Sequence, residues 1–409
     1  MDAPDFIQRD AALTIKTIEM HTTGEPTRIV YSGFPDLNGT LLEQRPQALA
    51  EHDHIRKAVI CEPRGHRDMY GAVLRPHTEL VDKGEADMGV LFITNSGYST
   101  MCGHATIAVS RLLVDCAGSG SKLLSDFNLD LKPNHERTEV EVRLHPPCGL
   151  VRVSVAIVPI SGTDSSQGYK TDITRPISYL SVPSYATGIW VNVPIPQSLR
   201  WPELGDRETV VVDIAYGGAF YLISTPSSLG FPCNTLAHPS RDMLAGLSEA
   251  TRKLKAAFNA SELLRKFYLR VEDNVADLQW LYSTIITDST LGKPGPDTLG
   301  AETGLCFFSD AQVDRSPTGS GVQARVALAI AKGRRKIGER WTYHSLVSNV
   351  YEGEGAFVGE AVEKVGNGLV VKVSGKARYT GACTFVVEEG DQIGKGFWFD
   401  ELGESGTSD

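Results

Sequence analysis

Tyr98-Ser-Thr-Met-Cys102-Gly103-His104-Ala105-Thr106 runs without a break into the apolar segment Ile107 to Val114, and this stretch decides the fold. A cysteine followed by glycine and then by a dozen helix-compatible residues predicts a thiol at the start of a helix. The first N–H groups of a helix have no internal partner, and its dipole places partial positive charge there. Both effects favour thiolate over thiol, so this cysteine is a candidate acid/base group, and the same helix end can hold a carboxylate. The alternative is a buried structural cysteine, the commoner fate of a free thiol.

A second stretch has the same form. Asp314-Arg-Ser-Pro-Thr318-Gly319-Ser320-Gly321 leads into Val322 to Ala331, again largely apolar. Cys102-Gly103-His104-Ala105 overlays Thr318-Gly319-Ser320-Gly321. A helix that is hydrophobic nearly all round belongs in a core. Two such helices with small polar starts predict two related domains aiming their helix N-termini at one cleft.

The chain has 409 residues, enough for two or three domains, with 41% hydrophobic and 22% charged residues, as in a soluble globular protein. A net charge of −10 argues against nucleic-acid or anionic-membrane binding, since both need a basic face. It leaves a small anionic substrate open. Seven scattered cysteines without a CxxC pair fit neither a disulfide framework nor a zinc site, so no metal is expected. No signal peptide and no apolar run of about 18 residues is evident, which makes the cytoplasm the expected location. A homodimer is the expected assembly.

Along the chain, residues 1 to about 12 read as a loose leader. Alternation predicts strands over 14–22, 27–34, 87–94, 138–144, 150–159, 189–193, 210–214, 278–287 and 305–309. Helical composition marks 43–60 and about 240–258, and 118–121, 161–171 and 292–300 read as loops. His21 to Pro26 reads as a hairpin turn or as part of a site. The polar run Glu62 to Gly71 reads as a solvated loop or as a buried network. A second cycle of strands, long helix, strands and buried helix begins near Asp206. The order predicts an α+β fold of two similar domains, 13–205 carrying Cys102 and 206–389 carrying Thr318, with mostly antiparallel sheet wrapped on a central helix. Neither a GxGxxG fingerprint nor a Walker A loop is present, so no nucleotide cofactor is expected.

Four motifs in order, Met20-His-Thr-Thr-Gly-Glu-Pro26, Met101-Cys-Gly-His104, Asp213-Ile-Ala-Tyr-Gly-Gly218 and Asp314-Arg-Ser-Pro-Thr-Gly319, resemble the proline racemase family over roughly residues 14 to 395. The resemblance implies a fold shared with diaminopimelate epimerase, in which each domain is an antiparallel β-barrel-like sheet around its helix. The site then lies between the domains, and strands near 390–400 return to the first. No metal, pyridoxal phosphate or nicotinamide is implied. In the racemases and epimerases two cysteines face each other across the substrate α-carbon. Here the second position is Thr318, whose hydroxyl is far too weak an acid or base for that exchange. Threonine at this position resembles the branch that dehydrates trans-3-hydroxy-L-proline. Thr23 and Ala105 stand where glycine is usual or frequent.

That resemblance implies that Cys102 removes the α-proton. Gly103, His104, Gly319 and Ser320 hold the carboxylate at the two helix starts, Asp314 takes the ring ammonium, and Thr318 is a polar wall. The partner is then a hydroxyproline-like imino acid. A proline racemase or 4-hydroxyproline 2-epimerase is the alternative that Thr318 weakens. A thiol hydrolase using Cys102 and His104 would suffer from two groups set only two residues apart. A non-catalytic binding protein would keep Asp314 and the glycines without needing Cys102.

Overall fold

Both marked segments form helices that begin where the sequence places them. The computed structural model describes residues 4–160, 168–271, 278–309 and 312–402. The first central helix spans Gly103–Ser119 with Cys102 as its N-cap, and the second spans Gly319–Ala331 with Thr318 as its N-cap. Nearly every residue of both is buried, as an apolar helix requires. The first takes in Gly118 and Ser119 of the expected loop at 118–121. It ends at Gly120, whose left-handed φ of 67° lets its N–H bond the Cys116 carbonyl.

In the first half the strands are β1 (Ala11–Thr22), β2 (Glu25–Ser32), β3 (Gly71–Arg75), β4 (Met88–Ile93), β5 (Tyr98–Ser99), β6 (Glu139–His145), β7 (Val151–Pro159), β8 (Tyr169–Thr171) and β9 (Ile177–Leu180). Then follow β10 (Tyr185–Pro194), β11 (Thr209–Tyr216), β12 (Phe220–Ser224), β13 (Leu281–Asp288), β14 (Ala301–Phe308) and β15 (Gln312–Val313). The last are β16 (Arg340–His344), β17 (Phe357–Val365), β18 (Gly368–Gly375) and β19 (Arg378–Glu388). Of the expected loop at 161–171, residues 161–167 lie outside the described residues and Tyr169–Thr171 is a strand on β7.

The pairing repeats. β1–β2 is antiparallel, β2–β3 parallel, β3–β4 antiparallel, β4–β6 parallel and β6–β7 antiparallel. The run from β11 through β12, β13, β14 and β16 to β17 has the same order of senses. The sheet is therefore antiparallel except at four matching pairs. Each parallel step needs a crossover. Helices Leu41–Ile60 and Arg241–Ala260 supply the first of each half, and the central helices supply the second. Helix Leu41–Ile60 is started by a capping box between Thr40 and Glu43. β19 closes on β1 and β10 on β11, while β9 on β18 joins the halves. The chain is thus α+β, two like barrels each wrapped on one helix. Pairing crosses residue 206, since β10 before it pairs with β11 after it. Among the described residues, no helix is long and apolar enough to cross a membrane.

Candidate active site

The helix starts meet at two glycines. A side chain at Gly103 would come within 2.4 Å of the Gly319 Cα, and one at Gly319 within 2.7 Å of the Gly103 Cα. Tyr179 closes the gap, its hydroxyl 2.4–2.5 Å from either hypothetical Cβ and itself accepting from Gln323 Nε2 at 3.0 Å. Only glycine allows this approach.

Cys102 and Thr318 flank the junction. Cys102 has extended backbone, and its Sγ accepts from the Ala105 N–H at 3.4 Å, so the helix end itself holds the sulfur. Thr318 sits at φ +63°, unusual for a β-branched residue. Its hydroxyl does not cap the helix but donates to Asp314 Oδ2 at 2.8 Å. The other carboxylate oxygen, Oδ1, accepts from the Ser316 N–H at 2.7 Å. Ser320 Oγ pairs with the Tyr221 hydroxyl at 2.6 Å. The His104 ring lies 4.6 Å from that of Tyr70, with Nδ1 3.2 Å from Cys102 Sγ. Helix geometry leaves the N–H groups of Gly103, His104, Gly319 and Ser320 without intrahelical acceptors.

All seven residues chosen from the sequence line one small cavity of about 10 Å³, room for a single water. Its remaining wall is Tyr70, Met101, Tyr221, Tyr282 and Phe308, none of them chosen from the sequence. Tyr70 ends the polar run at 62–71, and Tyr221 follows the Asp213 motif, so both lay near a signal. Met101 adjoins Cys102 within its own motif. Tyr282 and Phe308 come from β13 and β14 and had no local signal.

Burial sets the electrostatics. It pushes the Cys102 thiol well above its ordinary value, against the pull of the Tyr70 hydroxyl and the Ala105 N–H, with the carboxyls of Asp314 and Glu25 adding to the rise. The expected thiolate at a helix start is thus corrected: in this buried position, lost hydration outweighs the helix end. Burial lowers His104 to about 3, so its imidazole is neutral and offers no positive charge to the sulfur. Burial raises Asp314 to about 6, opposed by the Thr318 and Ser316 hydrogen bonds.

Glu25 was missed as a site residue although it lies in the first motif. It is fully buried, and burial and the nearby Asp314 push its carboxyl well above the usual range. Its Oε2 accepts from the Arg315 N–H at 2.7 Å, fastening the β1–β2 turn to the loop before Thr318. Asp68 does the same, accepting from Arg315 Nη2 at 2.8 Å and from the Val313 N–H at 3.0 Å. Gln312 Nε2 donates to the Met69 carbonyl at 2.9 Å. The polar run at 62–71 is in this part a half-buried network clasping the two halves beside the cavity.

The family model for proline racemase matches residues 17–398. The chain belongs to the proline racemase family. It is 39% identical to trans-L-3-hydroxyproline dehydratase of Bos taurus over 392 residues, 94% of each chain. It is 38% identical to trans-3-hydroxy-L-proline dehydratase of Homo sapiens, with the same coverage. A crystal structure of a probable proline racemase from Agrobacterium radiobacter K84 superposes with a TM-score of 0.70, covering 95% of this chain and 97% of that one. At 20% identity, that likeness speaks for the fold alone.

Proposed function

We propose that the protein is a cofactor-independent hydro-lyase that converts trans-3-hydroxy-L-proline to Δ1-pyrroline-2-carboxylate and water. The observation that carries this reading is the pairing of one thiol, Cys102, with a hydroxyl, Thr318, that is committed to Asp314. Dehydratase relatives at 38–39% identity over nearly the whole chain support it.

The substrate enters as a zwitterion. Its carboxylate takes the free N–H groups of Gly103, His104, Gly319 and Ser320, and its ring ammonium takes Asp314. The ammonium sets a positive charge near the sulfur and partly cancels the negative charge of Asp314. This reverses part of what holds the thiol protonated, and Cys102 becomes a base only with substrate present. Cys102 Sγ then removes the α-hydrogen, the C–H pair forms the C2–C3 double bond, and the C3–O bond breaks. The departing oxygen takes one proton to leave as water. The resulting enamine tautomerises to the imine.

In this substrate the hydroxyl and the carboxylate lie on opposite ring faces, so the α-hydrogen and the hydroxyl share one. The proton is lost and the water leaves on the Cys102 side, where His104 and Tyr70 also lie. Nothing is required of the Thr318 side.

Purified protein incubated separately with trans-3-hydroxy-L-proline, trans-4-hydroxy-L-proline and L-proline tests the reading by mass spectrometry and chiral chromatography. Loss of one water from the first substrate alone supports it. Efficient interconversion of proline or 4-hydroxyproline stereoisomers, without dehydration, would replace it by racemase or epimerase.

A further inference from the structure

Dehydration needs one proton for the departing oxygen. It must come from the Cys102 side, because the α-hydrogen and the hydroxyl share that ring face. Among the described groups that line the cavity, most polar hydrogens are already placed. Thr318 donates to Asp314, while Ser320 and Tyr221 pair with each other at the second helix. His104 lies on the right side, but the Pro26 carbonyl accepts its single proton, and burial keeps the ring from taking a second. The Tyr282 hydroxyl is bonded to that of Ser99.

Tyr70 is left. Its ring lines the cavity, edge-on to His104 at 4.6 Å and packed on Phe308 at 5.8 Å. The backbone is pinned as well. The Tyr70 carbonyl accepts from the Arg28 N–H at 2.9 Å, and the Met69 carbonyl accepts from Gln312 Nε2, also at 2.9 Å. At the end of this fixed ring the hydroxyl is buried beside the Cys102 sulfur, with no geometrically complete hydrogen bond among the described residues. A buried polar group left in this way is costly and calls for an explanation, since phenylalanine would fill the same space without it. Low exposure does not set the residue apart from the rest of the site: Tyr70 is 1% exposed, Asp314 4% and Cys102 5%, around a cavity with room for one water.

We propose that Tyr70 is the catalytic acid of the reaction, giving its phenolic proton to the departing hydroxyl while Cys102 takes the α-hydrogen. This rests on the dehydratase reading of the site. The α-hydrogen and the C3 oxygen sit on neighbouring carbons and one face, so a base and an acid side by side meet both. Hydroxide is a far stronger base than a phenolate, the pKa of water being about 15.7. A phenol is therefore a sufficient acid even where burial holds it above its ordinary value. The C–H pair forms the C2–C3 double bond, the C3–O pair leaves with the oxygen, and the Tyr70 proton completes the water. A tyrosinate then stands beside a Cys102 thiol. By ordinary values of roughly 10 and 8.5 the phenolate is the stronger base, so the thiol proton passes to Tyr70. Both groups return to the state in which the step began, and no proton is drawn from solvent.

A hydroxyl needs an acid to leave, whereas fluoride departs as a stable anion without one. The test compares Tyr70→Phe with wild type on trans-3-hydroxy-L-proline, followed by imine formation, and on trans-3-fluoro-L-proline, followed by fluoride release. Wild type should eliminate from both. In Tyr70→Phe, kcat on the hydroxy substrate should fall about 10²-fold or more, the usual contribution of a general acid, while fluoride release stays within about tenfold of wild type. The melting temperature should be unchanged or higher, because no complete hydrogen bond is lost. A purely structural role would slow both substrates alike. That result, or turnover of the hydroxy substrate within about tenfold of wild type, overturns the assignment. A wild-type protein that dehydrates nothing strikes the dehydratase reading itself, and the role of Tyr70 falls with it.

Discussion

The Thr318 hydroxyl donates to Asp314 Oδ2 at 2.8 Å, so the group standing where a second thiol would be needed already has its proton placed on a carboxylate. This single bond ties two parts of the account together. It helps hold Asp314 ionised for the substrate ammonium, and it takes Thr318 out of proton exchange on the far face.

Thr318→Cys puts a thiol at the start of the second central helix and weakens the support of Asp314. In deuterated water, wild-type protein should form no D-proline from L-proline. The variant should gain a trace of deuterium-labelled D-proline, small because a thiol misplaced by about 1 Å loses much of its reach. Efficient racemisation by the wild-type protein contradicts the one-base account.

Asp314→Asn should act in opposite directions on binding and on stability. An ammonium buried without its carboxylate costs several kcal/mol, so kcat/KM should fall by on the order of 10²–10³-fold, mainly through KM. The folded protein holds the Asp314 proton up to about 6, against an ordinary 3.8. Between these values the folded state binds more protons than the unfolded one, so the Asp314 contribution to stability is fully present below 3.8 and lost as pH rises through about 6. Above that, the charge is a net burden. Asn should therefore raise the substrate-free stability at pH 7.5, by on the order of 1 kcal/mol after the weakened hydrogen bonds are offset, which thermal melts read as a higher melting temperature. A lower melting temperature at pH 7.5, or an unchanged KM, would count against the assignment.

The pH profile follows from the same burial. As pH falls through about 6, Asp314 takes up a proton and kcat/KM should drop. On the alkaline side the thiol is pushed well above its ordinary value, so kcat/KM should go on climbing from pH 7 through 9. The neutral His104, lowered to about 3, should contribute no inflection. A flat plateau from pH 7 upward would mean that the free enzyme already holds a thiolate.

Gly319→Ala places a methyl 2.7 Å from the Gly103 Cα and 2.4 Å from the Tyr179 hydroxyl, so the helix ends must separate. Overpacking of this kind costs about 1–3 kcal/mol. The displaced N–H groups should lower kcat/KM more than 10²-fold, since a shift of about 1 Å is enough for that. Thermal melts together with steady-state kinetics read both effects, and near-normal kinetics would show that the junction does not position the substrate.

Much of this site was legible because its chemistry sits at helix starts, where small polar residues before an apolar run mark Cys102 and Thr318 alike. Glu25 was legible in principle, being inside a quoted motif, but only the fold shows that it reaches the Arg315 N–H. Tyr282 and Phe308 were not legible, because strands distant in sequence bring them to the cavity. The same walls determine the Cys102 thiol, so a local reading of the helix end gave the wrong sign for its resting state. The four parallel pairs escaped because each is made by strands with a helix between them, and alternation within a strand says nothing about the sense of its neighbour.

The most direct test of the central claim is turnover and binding of trans-3-hydroxy-L-proline by Cys102→Ser protein, measured side by side. The substitution removes the base but leaves the backbone N–H groups and Asp314. Turnover should fall at least about 10²-fold, while the rise in melting temperature caused by the substrate largely survives. Turnover within about tenfold of wild type would contradict the claim that Cys102 is the single base.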